Sequence, residues 1–264
     1  MGRSDALRAG LWFNGPMPRL KDQALCIRHL DWSETSQIVV LLTPRYGKLR
    51  GLAKGSKRLS PSAVARFSGG IELLTLGQVV ATVRPTSELA NVTEWDLQHD
   101  FLPLRQDLTR QRLALYAADL GHAMLADHDP HPETFHVTHL FLEELIGAKH
   151  HATQARCLLH FQWALLQDTG FRPQLDTDVH TGNTIGLHAR YWFDPRAGGL
   201  TLQQAGNWAV RHETVELLQD VATGQNLDQA DTATVGRANR LLCVYARSLL
   251  DRELSTMRFV LDHS

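Results

Sequence analysis

Residues 35–58 read TSQIVVLLTPRYGKLRGLAKGSKR. The run QIVVLL is apolar and rich in β-branched side chains, and KLRGLA alternates apolar and polar residues. Between them TPRYG carries the proline and glycine that turn a chain. The stretch therefore predicts two β-strands joined by a tight turn. Three further segments read as strands: QALCIRHLD (23–31) alternates, and IELLTLGQVVATVRP (71–85) and ELANVTEWDLQ (88–98) end in turn signals. Five short strands within residues 22–99, with helical signal only around residues 61–67, predict a small closed or partly closed β-barrel. An OB-fold is the common architecture of that size.

After residue 100 the apolar period changes from two to about 3.6. Leu104, Leu108, Leu113, Tyr116, Leu120 and Met124 fall at helical spacing, with Pro130 and Pro132 closing the segment. Residues 132–149 and 152–171 each read as a helix, and two more are predicted near 211–222 and 232–251. The intervening 171–206 is rich in Gly, Pro, Asp and Thr and reads as a long ordered loop. The expected class is α+β: an OB barrel over 17–99 followed by a helical domain over 100–264. The first 16 residues lack the apolar core of a signal peptide and are expected to be a disordered extension, the choice between Met1 and Met17 as start staying open.

Composition is that of a folded protein, with 43% hydrophobic and 21% charged residues in 264 and a net charge of −1. That total conceals an asymmetry. Residues 1–84 hold 13 Lys and Arg against 5 Asp and Glu, a surplus of +8, whereas residues 85–264 hold 14 against 23, a deficit of −9. Between Glu34 and Glu72 there is no acidic side chain, yet Arg45, Lys48, Arg50, Lys54, Lys57, Arg58 and Arg66 lie there. A patch of one sign repels itself, so its presence on a barrel points to a polyanion. Alternation places Lys48 and Arg50 on one strand face, with Lys54, Lys57 and Arg58 in the following loop. Tyr46, beside Gly47 in the turn, is the first choice as a base-stacking platform. Phe67, Trp32 and Trp95 are further aromatics in or near the run. Arg45 and Arg66 are weaker DNA-binding candidates.

The order ETSQIVVLLTPRYGKLRGLAKGSKR (34–58), FSGGIELLTLGQ (67–78), HDFLPLRQDLTRQRLALYAADL (99–120), LLQDTGFRPQLD (165–176) and FDPRAGGL (193–200) resembles RecO, the bacterial recombination mediator family. The resemblance runs from about residue 20 to 250. It implies an N-terminal OB domain and a helical C-terminal domain. It also implies binding of single- and double-stranded DNA, annealing of complementary strands, and cooperation with RecR in loading RecA on strands coated by single-strand binding protein (SSB). Docking of the acidic, Phe-terminated SSB tail on the helical domain is implied for some members, and Arg105, Arg110, Arg112, Lys149 and Arg156 are the basic residues there. A cytoplasmic, nucleoid-associated location follows, as does the absence of a membrane partner. Many members also hold zinc through two cysteine pairs. The corresponding positions here are about Asp178 and Thr181, then Leu202 and Ala205, so no cofactor is expected. Packing by Tyr191, Trp192 and Phe193 is the expected substitute, ahead of a site built from His180 and His188 with Asp176 or Asp178.

Other chemistry is poorly supported. Cys26, Cys157 and Cys243 are far apart, which disfavours a disulfide framework or a thiolate metal site. There is no Gly-x-Ser-x-Gly elbow, phosphate loop or dinucleotide fingerprint. His136 and His139 lack the flanking Glu pattern of a carboxylate-bridged metal site. A non-enzymatic protein is expected. The competing reading is an OB module that binds RNA or another acidic partner without annealing. A third, a metal-dependent hydrolase built on the histidines, requires bound metal and nucleic acid cleavage.

Overall fold

The computed structural model describes residues 19–83, 87–188, 190–204 and 208–262; the predicted extension, Met17 and Ala205 lie outside them. Five strands, β1 (Arg19–Asp31), β2 (Gln37–Thr43), β3 (Gly47–Ala53), β4 (Leu76–Thr82) and β5 (Ala90–His99), close a barrel in the order β1-β2-β3-β5-β4. All pairings are antiparallel except β3 with β5. Strand β1 is long enough to pair with β4 over its first half and β2 over its second, with a bulge between Cys26 and Arg28 where the partner changes. Helix α1 (Pro61–Phe67) plugs one end, starting at a proline whose missing N–H costs nothing there.

Inside the barrel, Ala24, Val39, Leu41, Leu49, Val79, Val92 and Phe67 surround Trp95. Gly77 permits this, because a Cβ there would lie 2.6 Å from the Trp95 ring. The outward side chains of β1 and β2 (Leu25, Ile27, Val40, Leu42) are buried as well, in a second core shared with Phe101, Leu113, Tyr116 and Phe141 of the helical half. This explains why QIVVLL lacks alternation: β2 is covered on both faces.

A 3-10 turn (Leu102–Gln106) leads into α2 (Leu108–Met124), α3 (Pro132–Gly147) and α4 (His151–Asp168). The predicted first helix thus starts later than its apolar period suggests. Asp107 sets the start by accepting from the Arg110 N–H at 2.9 Å. The 171–206 segment is more than a loop. It contributes β6 (Arg190–Asp194) and β7 (Gly199–Thr201), which form a three-stranded sheet with β8 (Trp208–Arg211) in the order β7-β6-β8. This sheet packs through Tyr191, Phe193, Leu200 and Val210 on α4, α5 (His212–Ala222) and α6 (Thr232–Leu250). A short α7 (Arg258–Leu261) ends the described chain. A buried polar chain ties three helices together. The Tyr116 hydroxyl donates to Gln162 Oε1 at 2.8 Å, and Gln162 Nε2 donates to Asn239 Oδ1 at 2.8 Å. Among the described residues no helix is long and apolar enough to cross a membrane.

Candidate nucleic-acid interface

The β-register decides where each cation of the acid-free stretch goes. Leu42 faces Lys48, Val40 faces Arg50 and Ile38 faces Leu52, so Lys48, Arg50 and Leu52 share the outer surface of the barrel. The helices cover part of that surface. Lys48 is only 6% exposed, and its Nζ donates to the carbonyls of His122 at 2.7 Å and Leu125 at 2.6 Å and pairs with Asp127 at 3.2 Å. The expectation that Lys48 contacts DNA is therefore corrected. Its ammonium neutralises the carbonyl end of α2, where the helix dipole favours a cation. The adjoining turn is equally committed: Gly47 has φ +67°, and a Cβ there would fall 2.1 Å from the Asp129 carbonyl oxygen. Burial, followed by the nearby charges of Lys48 and Arg28, holds the His122 ring below the usual imidazole range.

The other candidates separate into two groups at opposite ends of β3, about 20 Å apart at the usual strand rise. At the turn, Tyr46 is 38% exposed, but the neighbouring Arg45 guanidinium is held by Asp22 at 3.0 Å and by the Lys21 carbonyl. At the other end, Lys54 and Arg58 are exposed and their side chains make no hydrogen bond or ion pair among the described residues. Arg50 is in the same condition between them. Lys57 pairs with Asp31 at 2.8 Å. Arg66 lies over Phe67 with its charge 5.5 Å from the ring centre, and donates to the Ser62 carbonyl. Two of the aromatics are corrected: Phe67 and Trp95 are each 1% exposed and belong to the barrel core.

Three residues belong to this surface that the charge run does not contain, Arg28, Leu30 and Trp32. Arg28 faces Val40, which faces Arg50, so one rung of β1-β2-β3 carries an exposed arginine on either side of a buried valine. The next rung, Leu30-Ile38-Leu52, is apolar and open, Leu30 being 62% exposed. Beyond it Trp32, 64% exposed, sits on the β1–β2 loop. That loop is bound to the one after β3: the Lys57 N–H donates to the Thr35 carbonyl at 3.1 Å and the Gly55 N–H to Ser36 Oγ at 3.2 Å. Arg28, Arg50, Lys54 and Arg58 thus surround an apolar strip ending at an exposed indole. Cations for phosphates beside faces for bases are what a single strand needs.

The chain matches the family model for the Recombination protein O N terminal over residues 17–101, and that for the Recombination protein O C terminal over residues 105–258. The chain belongs to the RecO family of DNA repair proteins. It is 29% identical over 251 residues to the DNA repair protein RecO of Myxococcus xanthus, a match covering 92% of this chain and 98% of that one. It is 32% identical over 182 residues to that of an Anaeromyxobacter species (strain Fw109-5), covering 69% of this chain and 68% of the relative. With the RecO of Rhodopirellula baltica it shares 33% identity over 150 residues, 57% and 53% of the two chains.

The zinc that the resemblance associates with RecO loops does not fit this chain. At the positions of the first cysteine pair, Asp178 Oδ1 accepts from the N–H groups of His180 at 2.9 Å and Thr181 at 3.0 Å. Its Oδ2 accepts from Thr201 Oγ1 at 3.0 Å and from the Leu202 N–H at 2.9 Å, at the position of the third cysteine. These bonds, the Leu202 N–H foremost, hold the Asp178 carboxyl well below the usual carboxylate range. Donors converge on this point, which is the polarity of an anion site. His180 turns to Asp194 at 3.0 Å, and His188 donates its N–H to the Tyr191 hydroxyl at 3.0 Å. Among the described residues no three His, Cys, Asp or Glu gather as metal ligands. Of the residues expected to pack in place of the metal, Tyr191 and Phe193 are buried in the core of the helical half, while Trp192 is half-buried.

Three of the basic helix residues named in the sequence are engaged within the protein. Arg110 donates to the Ala148 carbonyl and Arg112 lies over Phe259, while Arg156 reaches the Asp228 carbonyl. A cation-rimmed cleft of about 280 Å³ instead lies between β8 and α6, where Trp208, Val210, Leu241 and Val244 meet Arg211, Arg237 and Arg240. Thr214 Oγ1 and Arg237 Nε, both at this cleft, are buried with no hydrogen-bond partner among the described residues.

Proposed function

We propose that this RecO-family protein is a recombination mediator that binds single- and double-stranded DNA on its barrel, anneals complementary strands, and with RecR promotes loading of RecA onto SSB-coated DNA in the nucleoid. The observation that carries the reading is the open end of the β1-β2-β3 face, where Arg28, Arg50, Lys54 and Arg58 have no acidic partner among the described residues and Trp32 is exposed. Annealing makes no covalent bond. Neutralising phosphates on two strands lowers their repulsion, and base pairing supplies the driving force. The helical half supports the partner side of the reading. An acidic tail ending in Phe suits the cleft between β8 and α6, since its ring can lie against Trp208 and Leu241 while its carboxylates face the arginines of the rim.

The test is an annealing assay with two complementary fluorescently labelled oligonucleotides, bare and SSB-coated. The protein is expected to raise the pairing rate in both cases. A passive single-strand binder slows pairing by sequestering the strands, and that result would replace this reading with the simpler binding module.

A further inference from the structure

We propose that Asp178 is a metal-free clamp, its carboxylate joining the two strands of the 174–204 loop where a zinc ion joins them in the four-cysteine members of the family. The geometry divides evenly. One oxygen takes the two N–H groups of the 178–181 turn, and the other takes the hydroxyl and N–H of residues 201 and 202 on and after β7. Each oxygen thus holds one knuckle, and the buried side chain bridges them. Backbone bonds close the same loop around it: the Val179 N–H donates to the Leu200 carbonyl at 3.0 Å, and the Leu200 N–H to the Gln174 carbonyl at 2.9 Å.

The clamp has consequences beyond the loop. β7 pairs with β6, β6 with β8, and Phe193 of β6 stacks on Trp208 of β8 with ring centres 6.0 Å apart. β8 is one wall of the cleft described above. A carboxylate therefore fixes that wall without metal. An isosteric amide cannot replace it, because the NH2 of Asn would face donors on one side.

The test uses the full-length protein, with and without EDTA, as wild type, Asp178→Asn and Thr201→Val, read by thermal unfolding, zinc analysis and amide hydrogen exchange. Wild type is expected to contain no stoichiometric zinc and to melt unchanged in EDTA, with the Leu202, His180 and Thr181 amides protected. Asp178→Asn is expected to melt several degrees lower and to exchange at least one pair of these amides at least tenfold faster. Thr201→Val, which removes one of four donors, falls between. Stoichiometric zinc whose removal lowers the melting point would overturn the proposal, as would an Asn variant indistinguishable from wild type. Should the Asn variant fail to fold, the Thr201→Val shift and wild-type amide protection decide the matter: both present sustain the clamp, and the lack of either ends it.

Discussion

Lys48→Met is expected to destabilise the protein by about 2–4 kcal/mol while leaving the salt dependence of DNA binding unchanged. The variant keeps much of the side chain's volume but removes the ammonium. The carbonyls of His122 and Leu125 then lose their donor, and Asp127 loses its counter-charge. These groups sit where the β2–β3 turn meets the segment after α2, so the loss falls on the seam between barrel and helices. For a chain of this size the midpoint of thermal unfolding is expected to drop by roughly 5–12 °C. Log affinity for an oligonucleotide plotted against log salt should keep its wild-type slope. An unaltered melt with a shallower slope would return Lys48 to the DNA surface.

The second large effect is on affinity. Arg50, Lys54 and Arg58 are exposed and without acidic partners among the described residues, so replacing all three by Ala removes up to three phosphate contacts at little structural cost. Each phosphate neutralised on a single strand contributes about 0.7 to the slope of log affinity on log salt, so the slope should flatten by about 2. At 0.1 M salt that corresponds to roughly a 100-fold weaker complex, a difference that disappears as the salt approaches 1 M. The unfolding midpoint should scarcely move, because surface charges without partners contribute little to stability. Fluorescence anisotropy across a salt series measures both quantities.

These opposite outcomes for Lys48 and Arg50, two residues apart on β3, show where sequence reading stops. Strand alternation places both on one face, and they share it. What alternation does not contain is that the end of α2 covers Lys48, because coverage depends on a segment more than 70 residues away. The same holds for Tyr46 and Lys54. They are close in sequence, but an extended strand separates them, so a compact charge run becomes two distant groups. Arg28 is hidden in the sequence for the converse reason. Asp22 and Asp31 dilute its charge along the chain, and only the register through Val40 brings it level with Arg50.

The barrel itself was legible because strand period and turn residues agree at each hairpin, and the helices because their apolar period persists over several turns. Strands β6 to β8 were not legible. They are three to five residues long and arise from packing on α4 and α6, where no local pattern announces them. Asp178 shows a further limit: an aspartate in a Gly- and Thr-rich loop is ordinary in sequence, and only the convergence of four donors reveals what it does.

The central claim, that DNA follows the open end of the β1-β2-β3 face, is tested most directly by mapping ultraviolet cross-links from a thymidine-rich single strand to the intact protein. Cross-linked peptides are expected to contain Trp32 and residues 50–58, and to be lost in the Arg50, Lys54 and Arg58 triple variant. Cross-links confined to Tyr46 or to the helical half, with none in those two peptides, would contradict it.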